Sequence, residues 1–239
     1  MSIKAIIFDV DGTLADTEEG HRQAFNKAFA EAGLNWHWDL DLYDKLLTVT
    51  GGKERIKYFV SDFQSDFAKP VDFDGFVKNL HAVKTRHYTN LVQEGLITLR
   101  PGIKELILAA HSAGLKLAVA TTTAPENVAA LLERGLGKDW QTLFGAVGCG
   151  DMVANKKPAP DVYLWVMETL GVTADECIAL EDSENGLHAS LAAGIKTFIT
   201  INHFTRHHDF SGAAAVLDDL SDLPGFVRLS GLPLPGLIP

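Results

Sequence analysis

Hydrophobic residues follow two different spacings along this chain. Short and nearly continuous apolar runs, such as IKAIIF at residues 3–8 and LKLAVA at 115–120, are typical of strands buried in a parallel sheet. Longer segments repeat apolar residues every three to four positions and end in glycine, as amphipathic helices do. After residue 95 the two kinds of segment alternate, which predicts right-handed crossovers and a doubly wound parallel sheet of the α/β class.

The stretch that follows the first predicted strand has a different pattern. From Thr17 to Gly95 the spacing is helical throughout, without a convincing strand. We therefore predict a doubly wound sheet domain formed by residues 1–16 and 96–239, with a small all-helical insertion at residues 17–95.

Composition and charge exclude several functions. Of the 239 residues 46% are hydrophobic, which is enough for a sizeable core, and the net charge of −10 without a basic stripe argues against a nucleic-acid partner. The first apolar run is too short for a signal peptide, and no segment has the roughly 18 continuous apolar residues of a membrane span. The two cysteines lack metal-type spacing. We expect a cytoplasmic monomer without a membrane or nucleic-acid partner.

Polar clusters follow four of the predicted strands. The clusters are DVDGT, TTT, NKKP and LEDS, and each comes after an apolar run. Because parallel sheets bind ligands beyond the carboxyl ends of their strands, we expect these clusters to lie close together. The candidate residues in them are Asp9, Asp11, Thr121, Lys157 and Asp182.

These residue types suit phosphoryl transfer. Asp9 and Asp11 point to the same side of an extended chain, as a nucleophile beside an acid would. Hydrolysis of a phosphate monoester needs up to about 10²¹-fold acceleration, more than two carboxylates supply. Thr121 can donate its hydroxyl and backbone N–H to phosphate, Lys157 offers a positive charge, and Asp182 offers an oxygen ligand for Mg²⁺. Each cluster taken alone can be explained as a turn or a helix cap. Such local roles do not explain why all four clusters follow strands, one after another along the chain.

Together the four clusters resemble the motifs of the haloacid dehalogenase superfamily of phosphatases and phosphomutases, over essentially the whole chain. The resemblance implies a Rossmann-like core, with the helical insertion at residues 17–95 as its cap. It also implies that Asp9 forms an aspartyl phosphate and that Asp11 acts as acid and then as base. We expect a raised pKa for Asp11 because it is partly desolvated beside another carboxylate. The resemblance also implies Mg²⁺ held by the Asp9 carboxylate, the Asp11 carbonyl and Asp182, with Glu181 orienting metal-bound water and Lys157 as the motif lysine.

Two stretches of the predicted cap, TGGKERI and AVKTRHY, resemble the CbbY-type phosphatases, whose substrate is xylulose 1,5-bisphosphate, an inhibitor of Rubisco. Lys53, Arg55 and Lys84 offer cations for its second phosphate, although Lys53 also suits a helix surface. Glu18 and His21 can form hydrogen bonds with sugar hydroxyls. The predicted substrate-binding residues are Glu18, His21, Gly51, Gly52, Lys53, Arg55, Lys84, Thr121, Thr122, Thr123 and Lys157.

The sequence thus predicts a Mg²⁺-dependent phosphatase that works through an aspartyl phosphate and removes the C1 phosphate of xylulose 1,5-bisphosphate. One alternative is a phosphomutase that resembles β-phosphoglucomutase, because the same core serves both reactions. The other is a catalytically inactive Mg²⁺-binding scaffold.

Overall fold

A single parallel sheet forms the centre of the computed structural model, which describes residues 2–237. Its strands are β1 (Ala5–Phe8), β2 (Lys116–Ala120), β3 (Ala146–Gly148), β4 (Cys177–Glu181), β5 (Lys196–Thr200) and β6 (Ala215–Leu217). They lie in the order β3-β2-β1-β4-β5-β6, and each neighbouring pair is parallel. The predicted doubly wound α/β fold is therefore confirmed. Met1, Ile238 and Pro239 of the predicted core lie outside the described residues.

Strand β1 lies inside the sheet and is buried on both faces. Ile6 and Phe8 pack in the cluster on one side of the sheet, and Ala5 and Ile7 pack in the cluster on the other. Because successive side chains of a strand point to opposite faces, both sets must be apolar. This explains the continuous apolar run that ends at Asp9.

The described α-helices surround the sheet or lie in the segment between β1 and β2. They are α1 (Glu18–Glu31), α2 (Leu40–Leu46), α3 (Gly52–Phe63), α4 (Phe73–Gln93), α5 (Ile103–Ser112), α6 (Pro125–Leu136), α7 (Asp161–Leu170), α8 (Glu184–Ala192) and α9 (Leu223–Ser230). None of the helices within residues 2–237 is both long and apolar enough to cross a membrane.

The helical segment, by which we mean residues 17–95, has a hydrophobic cluster of its own. Phe25 and Phe29 of α1 pack there with Trp36, Trp38 and other apolar residues of α2, α3 and α4. Trp38 is fully buried, with its ring centroid 4.5 Å from that of Phe25. This cluster is distinct from the two that pack on the faces of the sheet. Its division from the core at residues 17 and 95 stays a prediction.

The two connections between the sheet and the helical segment run side by side. Ala15 and Leu99 form an antiparallel bridge, and the Arg100 backbone N–H donates to the Leu14 carbonyl at 2.8 Å. The buried Arg100 guanidinium donates to backbone carbonyls at three strand ends, those of Gly12, Thr200, Ile201 and Asp218. This arrangement joins the two connections to the edge of the sheet that carries the polar clusters.

Candidate active site

The carboxyl ends of the central strands bring the polar clusters together. Asp9 follows β1, Thr121 follows β2, and Asp182 follows β4, and all three side chains are buried. Lys157 comes from the loop after β3, and its Nζ donates to Asp9 Oδ1 at 2.7 Å, to the Ala120 carbonyl at 2.8 Å and to Glu181 Oε1 at 2.5 Å. Four segments that are distant in sequence therefore meet at one buried charged cluster.

The charges in this cluster change one another's pKa. Burial alone would lower the pKa of Lys157, but the carboxylates of Asp9 and Glu181 raise it above its ordinary value. Burial raises the pKa of Asp9, and burial together with the charge of Asp9 raises the pKa of Asp182. Lys157 thus contacts two of three buried carboxyl groups, and one lysine cannot offset the charge of all three when they are ionised.

The same carboxylates fit a divalent cation. Asp9, Glu181 and Asp182 each offer an oxygen, and these oxygens lie within 4.8 Å of one another. Carboxylate oxygens are the ligands that Mg²⁺ and Ca²⁺ prefer, and a cation there would offset the excess negative charge. This acidic group can hold a metal ion. Glu181 also accepts from Lys157 and from the Tyr163 hydroxyl, so its predicted contact with metal-bound water stays a prediction.

The turn after β1 requires a glycine beside this acidic group. Gly12 has a φ of +80°, in the left-handed region that glycine adopts most readily. A Cβ at this position would also collide with Asp182 Oδ2 and Asn202 Nδ2, and Asn202 donates to Asp182 Oδ2 at 2.7 Å. Glycine therefore lets the turn that follows Asp11 approach the carboxylate of Asp182 closely.

Asp11 lies in an environment that the helical segment supplies. Its Oδ1 accepts from Thr17 Oγ1 at 2.8 Å and lies 2.9 Å from His21 Nε2. Lys84 Nζ lies 2.7 Å from His21 Nδ1, so an ammonium donor there leaves the proton on Nε2, facing Asp11. Burial works against ionisation of Asp11, but His21 and Thr17 together hold its pKa well below the ordinary value. The predicted rise of the Asp11 pKa is therefore wrong for this conformation.

Lys84 is itself a buried cation. Burial lowers its pKa to about 8, and its Nζ lies 4.9 Å from the centre of the Phe25 ring and 5.3 Å from that of Tyr88. His21 stacks on the same Tyr88 ring at 4.0 Å. Aromatic packing thus fixes the chain of contacts from Lys84 through His21 to Asp11.

The threonine cluster offers fewer donors than the sequence predicts. The Thr121 backbone N–H donates to the Gly148 carbonyl at 3.0 Å, within the sheet, so only its hydroxyl remains for a ligand. Thr121 Oγ1 accepts from the Thr123 N–H at 3.3 Å, which leaves the hydroxyl proton free to donate. Thr123 Oγ1 accepts from Asn127 Nδ2 at 2.9 Å.

A cavity of about 130 Å³ between the sheet edge and the helical segment joins these groups. We call it the catalytic cavity. It is lined by most of the predicted site residues, namely Asp9, Asp11, Glu18, His21, Gly51, Gly52, Arg55, Lys84, Thr121, Thr122, Thr123, Lys157 and Asp182. Two predicted residues lie elsewhere: Glu181 is buried behind Lys157, and Lys53 lines a neighbouring cleft.

Residues 3–194 match the family model described as hydrolase, haloacid dehalogenase-like hydrolase. The chain belongs to the haloacid dehalogenase-like hydrolases. It is 52% identical to protein CbbY, plasmid, from Cupriavidus necator over 92% of this chain and 87% of that protein. It is 31% identical to the phosphorylated carbohydrates phosphatase of Thermotoga maritima over 84% of this chain and 86% of that one.

A solved structure supports the same assignment. A mutant of CbbY from Rhodobacter sphaeroides, in complex with xylulose-(1,5)bisphosphate, matches with a TM-score of 0.86 and 45% identity over 92% of this chain and 96% of that chain. This haloacid dehalogenase-like hydrolase is an enzyme of the phosphatase type.

One wall of the catalytic cavity in this hydrolase is formed by residues that the sequence does not predict as site residues. The wall consists of Asn185, which follows LEDS, and of Phe204, Thr205 and His208 in the loop after β5. The FTRHHDF stretch suits a solvated polar loop by composition. In the structure Phe204 packs on Tyr43 of α2, with ring centroids 5.9 Å apart, which turns the loop toward the cavity.

Glu18 and Arg55 share one partner at the cavity wall. The Tyr43 hydroxyl donates to Glu18 Oε2 at 2.6 Å and accepts from Arg55 Nη1 at 3.2 Å. Arg55 also donates to the carbonyls of Leu46 and Val49, at 3.2 and 3.4 Å. Arg55 thus stabilises the turn between α2 and α3 while it lines the cavity.

Ion pairs and hydrogen bonds join the helical segment to loops of the sheet. Lys156 Nζ lies 2.6 Å from Glu54 Oε1, Lys53 pairs with Asp151, and Asn185 Nδ2 donates to Thr50 Oγ1 at 3.1 Å. All three contacts involve the turn and first helical residues around Gly51. The described conformation therefore closes the cavity on this side.

Proposed function

We propose that this enzyme is a Mg²⁺-dependent sugar-bisphosphate phosphatase that removes the C1 phosphate of xylulose 1,5-bisphosphate. The observation that carries the proposal is a second space, the outer cleft, next to the catalytic cavity. It measures about 540 Å³ and is bordered by four cations, Lys53, Lys78, Arg86 and Lys156, and by two acids, Glu126 and Asp151. Asp151 pairs with Lys53 and Lys156, so a phosphate would compete with it for these cations. A substrate with one phosphate at Asp9 can direct a second phosphate toward them. The likeness to a CbbY bound to this bisphosphate supports the assignment.

In this mechanism Asp9 is the nucleophile. Lys157 holds Asp9 Oδ1 at 2.7 Å, which leaves Oδ2 to attack phosphorus, and a new O–P bond forms as the P–O bond to C1 breaks. Asp11, which must be in its protonated form at this step, gives its proton to the leaving sugar oxygen. Water then attacks the aspartyl phosphate, the now ionised Asp11 takes a proton from that water, and the O–P bond to Asp9 breaks as inorganic phosphate leaves. The ionised Asp11 of this conformation suits the second half of the cycle.

The other residues stabilise charge and position the phosphate. The Thr121 hydroxyl and the Lys157 ammonium group act on the phosphoryl oxygens and on Asp9. Mg²⁺, held by the Asp9 and Asp182 carboxylates and by the Asp11 carbonyl, would supply further positive charge next to the phosphoryl group. Both cysteines are free and buried, which supports a cytoplasmic setting, and we propose a monomer.

Removal of divalent metal tests the cofactor. We expect EDTA to lower phosphate release by roughly 10²-fold or more and added Mg²⁺ to restore it. Mg²⁺ should also raise the melting temperature of the wild-type protein but not that of Asp182→Asn, because a ligand stabilises only a fold that binds it. Asp175→Asn, an exposed acid at the opposite end of β4, is the matched control. Full activity in EDTA without a melting shift would contradict the metal requirement.

A panel of phosphate esters tests the substrate. We expect the highest kcat/KM with xylulose 1,5-bisphosphate, and we expect Lys53→Gln to raise its KM by about tenfold, since one charge-assisted hydrogen bond is lost. Monophosphates should be unaffected by this change. Lys57→Gln is the matched control because Lys57 lies on the same helix and pairs with Asp74.

Two outcomes of the panel would overturn the substrate assignment. Equal or better turnover of phosphoglycolate or hexose phosphates would exclude xylulose 1,5-bisphosphate as the preferred substrate. An isomerised sugar phosphate without free phosphate would indicate a phosphomutase.

A further inference from the structure

The catalytic cavity and the outer cleft meet at a place that we call the neck. Four residues line both spaces: Gly52 and His81 on the side of the helical segment, and Thr122 and Ala124 on the side of the sheet. A ligand that reaches from Asp9 to the cations of the outer cleft must pass between them. Of the four, only His81 and Thr122 have polar side chains.

His81 has its hydrogen-bonding capacity free. It lies on α4 one turn before Lys84, and a Cβ at Gly52 would approach His81 Nε2 to 2.5 Å, so the glycine backbone packs directly against the imidazole ring. Within residues 2–237, neither ring nitrogen has a hydrogen-bond partner from another side chain or the backbone, which leaves both for a ligand.

Burial and the positive charges around His81 keep it neutral. Burial is the main cause that lowers its pKa, to about 3, and the positive charges of Lys84, Lys53, His21 and Lys156 lower it further. A neutral imidazole offers one donor and one acceptor. A phosphate finds stronger partners in the surrounding lysines, whereas a hydroxyl, which both donates and accepts, matches the imidazole.

We propose that His81 is a specificity-determining residue that hydrogen-bonds a hydroxyl or carbonyl oxygen of the sugar, between the two phosphates. The inference rests on the proposed function, because it assumes a substrate that extends through the neck. It assigns His81 a role in choosing the sugar, while the charged groups at either end hold the phosphates. Thr122 faces the same part of the ligand from the opposite side of the neck.

Two substrates separate recognition from folding. We measure kcat/KM for xylulose 1,5-bisphosphate and for p-nitrophenyl phosphate, whose leaving group has no sugar hydroxyl. His81→Phe should lower kcat/KM for the bisphosphate by about 10- to 100-fold, because the bisphosphate loses a buried hydrogen bond. It should leave kcat/KM for p-nitrophenyl phosphate unchanged, because that substrate makes no such bond. His81→Gln, which keeps a donor and an acceptor, should recover part of the loss. His87→Phe is the matched control, because it makes the same change on α4 at a residue that lines neither space and pairs with the exposed Glu31.

Three results would overturn the role of His81. They are equal losses with both substrates, no loss with the bisphosphate, or the same loss in His87→Phe. If the wild-type enzyme prefers another sugar phosphate, the substrate assignment fails, and the same variants measured with that sugar phosphate decide the role of His81. Melting curves of all three variants identify any that are unfolded.

Discussion

Replacement of Asp9 by asparagine is expected to lower phosphate release by at least about 10⁴-fold, because the reaction loses its nucleophile. Asparagine keeps the shape of the side chain and a carbonyl oxygen that can accept from Lys157 Nζ, now 2.7 Å from Asp9 Oδ1. Its amide is not an anion and cannot form the aspartyl phosphate. Single-turnover phosphate release measures the loss, and acid quenching shows whether any phosphorylated enzyme forms.

Asp16→Asn is the control for this prediction. Asp16 lies seven positions away on the same segment, and its side chain is 70% exposed beside Arg100 at 3.5 Å. Asp16 is the exposed partner of this pair, and without it the buried Arg100 keeps its hydrogen bonds to backbone carbonyls, so we expect near wild-type activity. If Asp9→Asn kept activity within about tenfold of the wild type, which is far less than removal of a nucleophile costs, the aspartyl-phosphate mechanism would be excluded.

Strand ends are the part of the site that the sequence predicts well. Asp9, Thr121 and Asp182 follow strands whose apolar runs are unambiguous, and parallel strands must present their carboxyl ends at one edge. Lys157 follows the shorter β3, yet its place after that strand brings it to the same edge. Local pattern and sheet topology together are sufficient for these residues.

Contacts made across the boundary between helices and sheet are not predictable in this way. The pKa of Asp11 depends on His21, Thr17 and Lys84, whose positions are set by packing of α1 against α4 and not by any local pattern. His81 was missed for the same reason, because its place at the neck depends on how α4 lies against the start of α3. Helical spacing shows which residues lie on one face of a helix, but it does not show which other element packs against that face.

Replacement of Asp11 by asparagine is expected to lower turnover of xylulose 1,5-bisphosphate by about 10²- to 10⁴-fold, the usual contribution of a general acid and base. The amide oxygen can still accept from Thr17 Oγ1 and His21 Nε2, now 2.8 and 2.9 Å from the carboxylate, so the site keeps its geometry. What is lost is the proton that moves to the leaving oxygen and, afterwards, the base that activates water. Steady-state phosphate release measures the sum of both effects.

An aryl phosphate separates the two halves of the cycle. The p-nitrophenolate leaving group needs no proton, so Asp11→Asn should still form the aspartyl phosphate but hydrolyse it slowly, which gives a burst of one p-nitrophenolate per enzyme molecule. Thr17→Val is the control, because it removes one hydrogen bond to Asp11 but keeps the carboxylate, and it should show a smaller loss and no burst. Equal slowing of both halves in Asp11→Asn would mean that Asp11 positions the substrate instead of transferring protons. A burst in Asp11→Asn that is absent in Asp9→Asn would assign the two carboxylates of DVDGT to successive roles in one reaction.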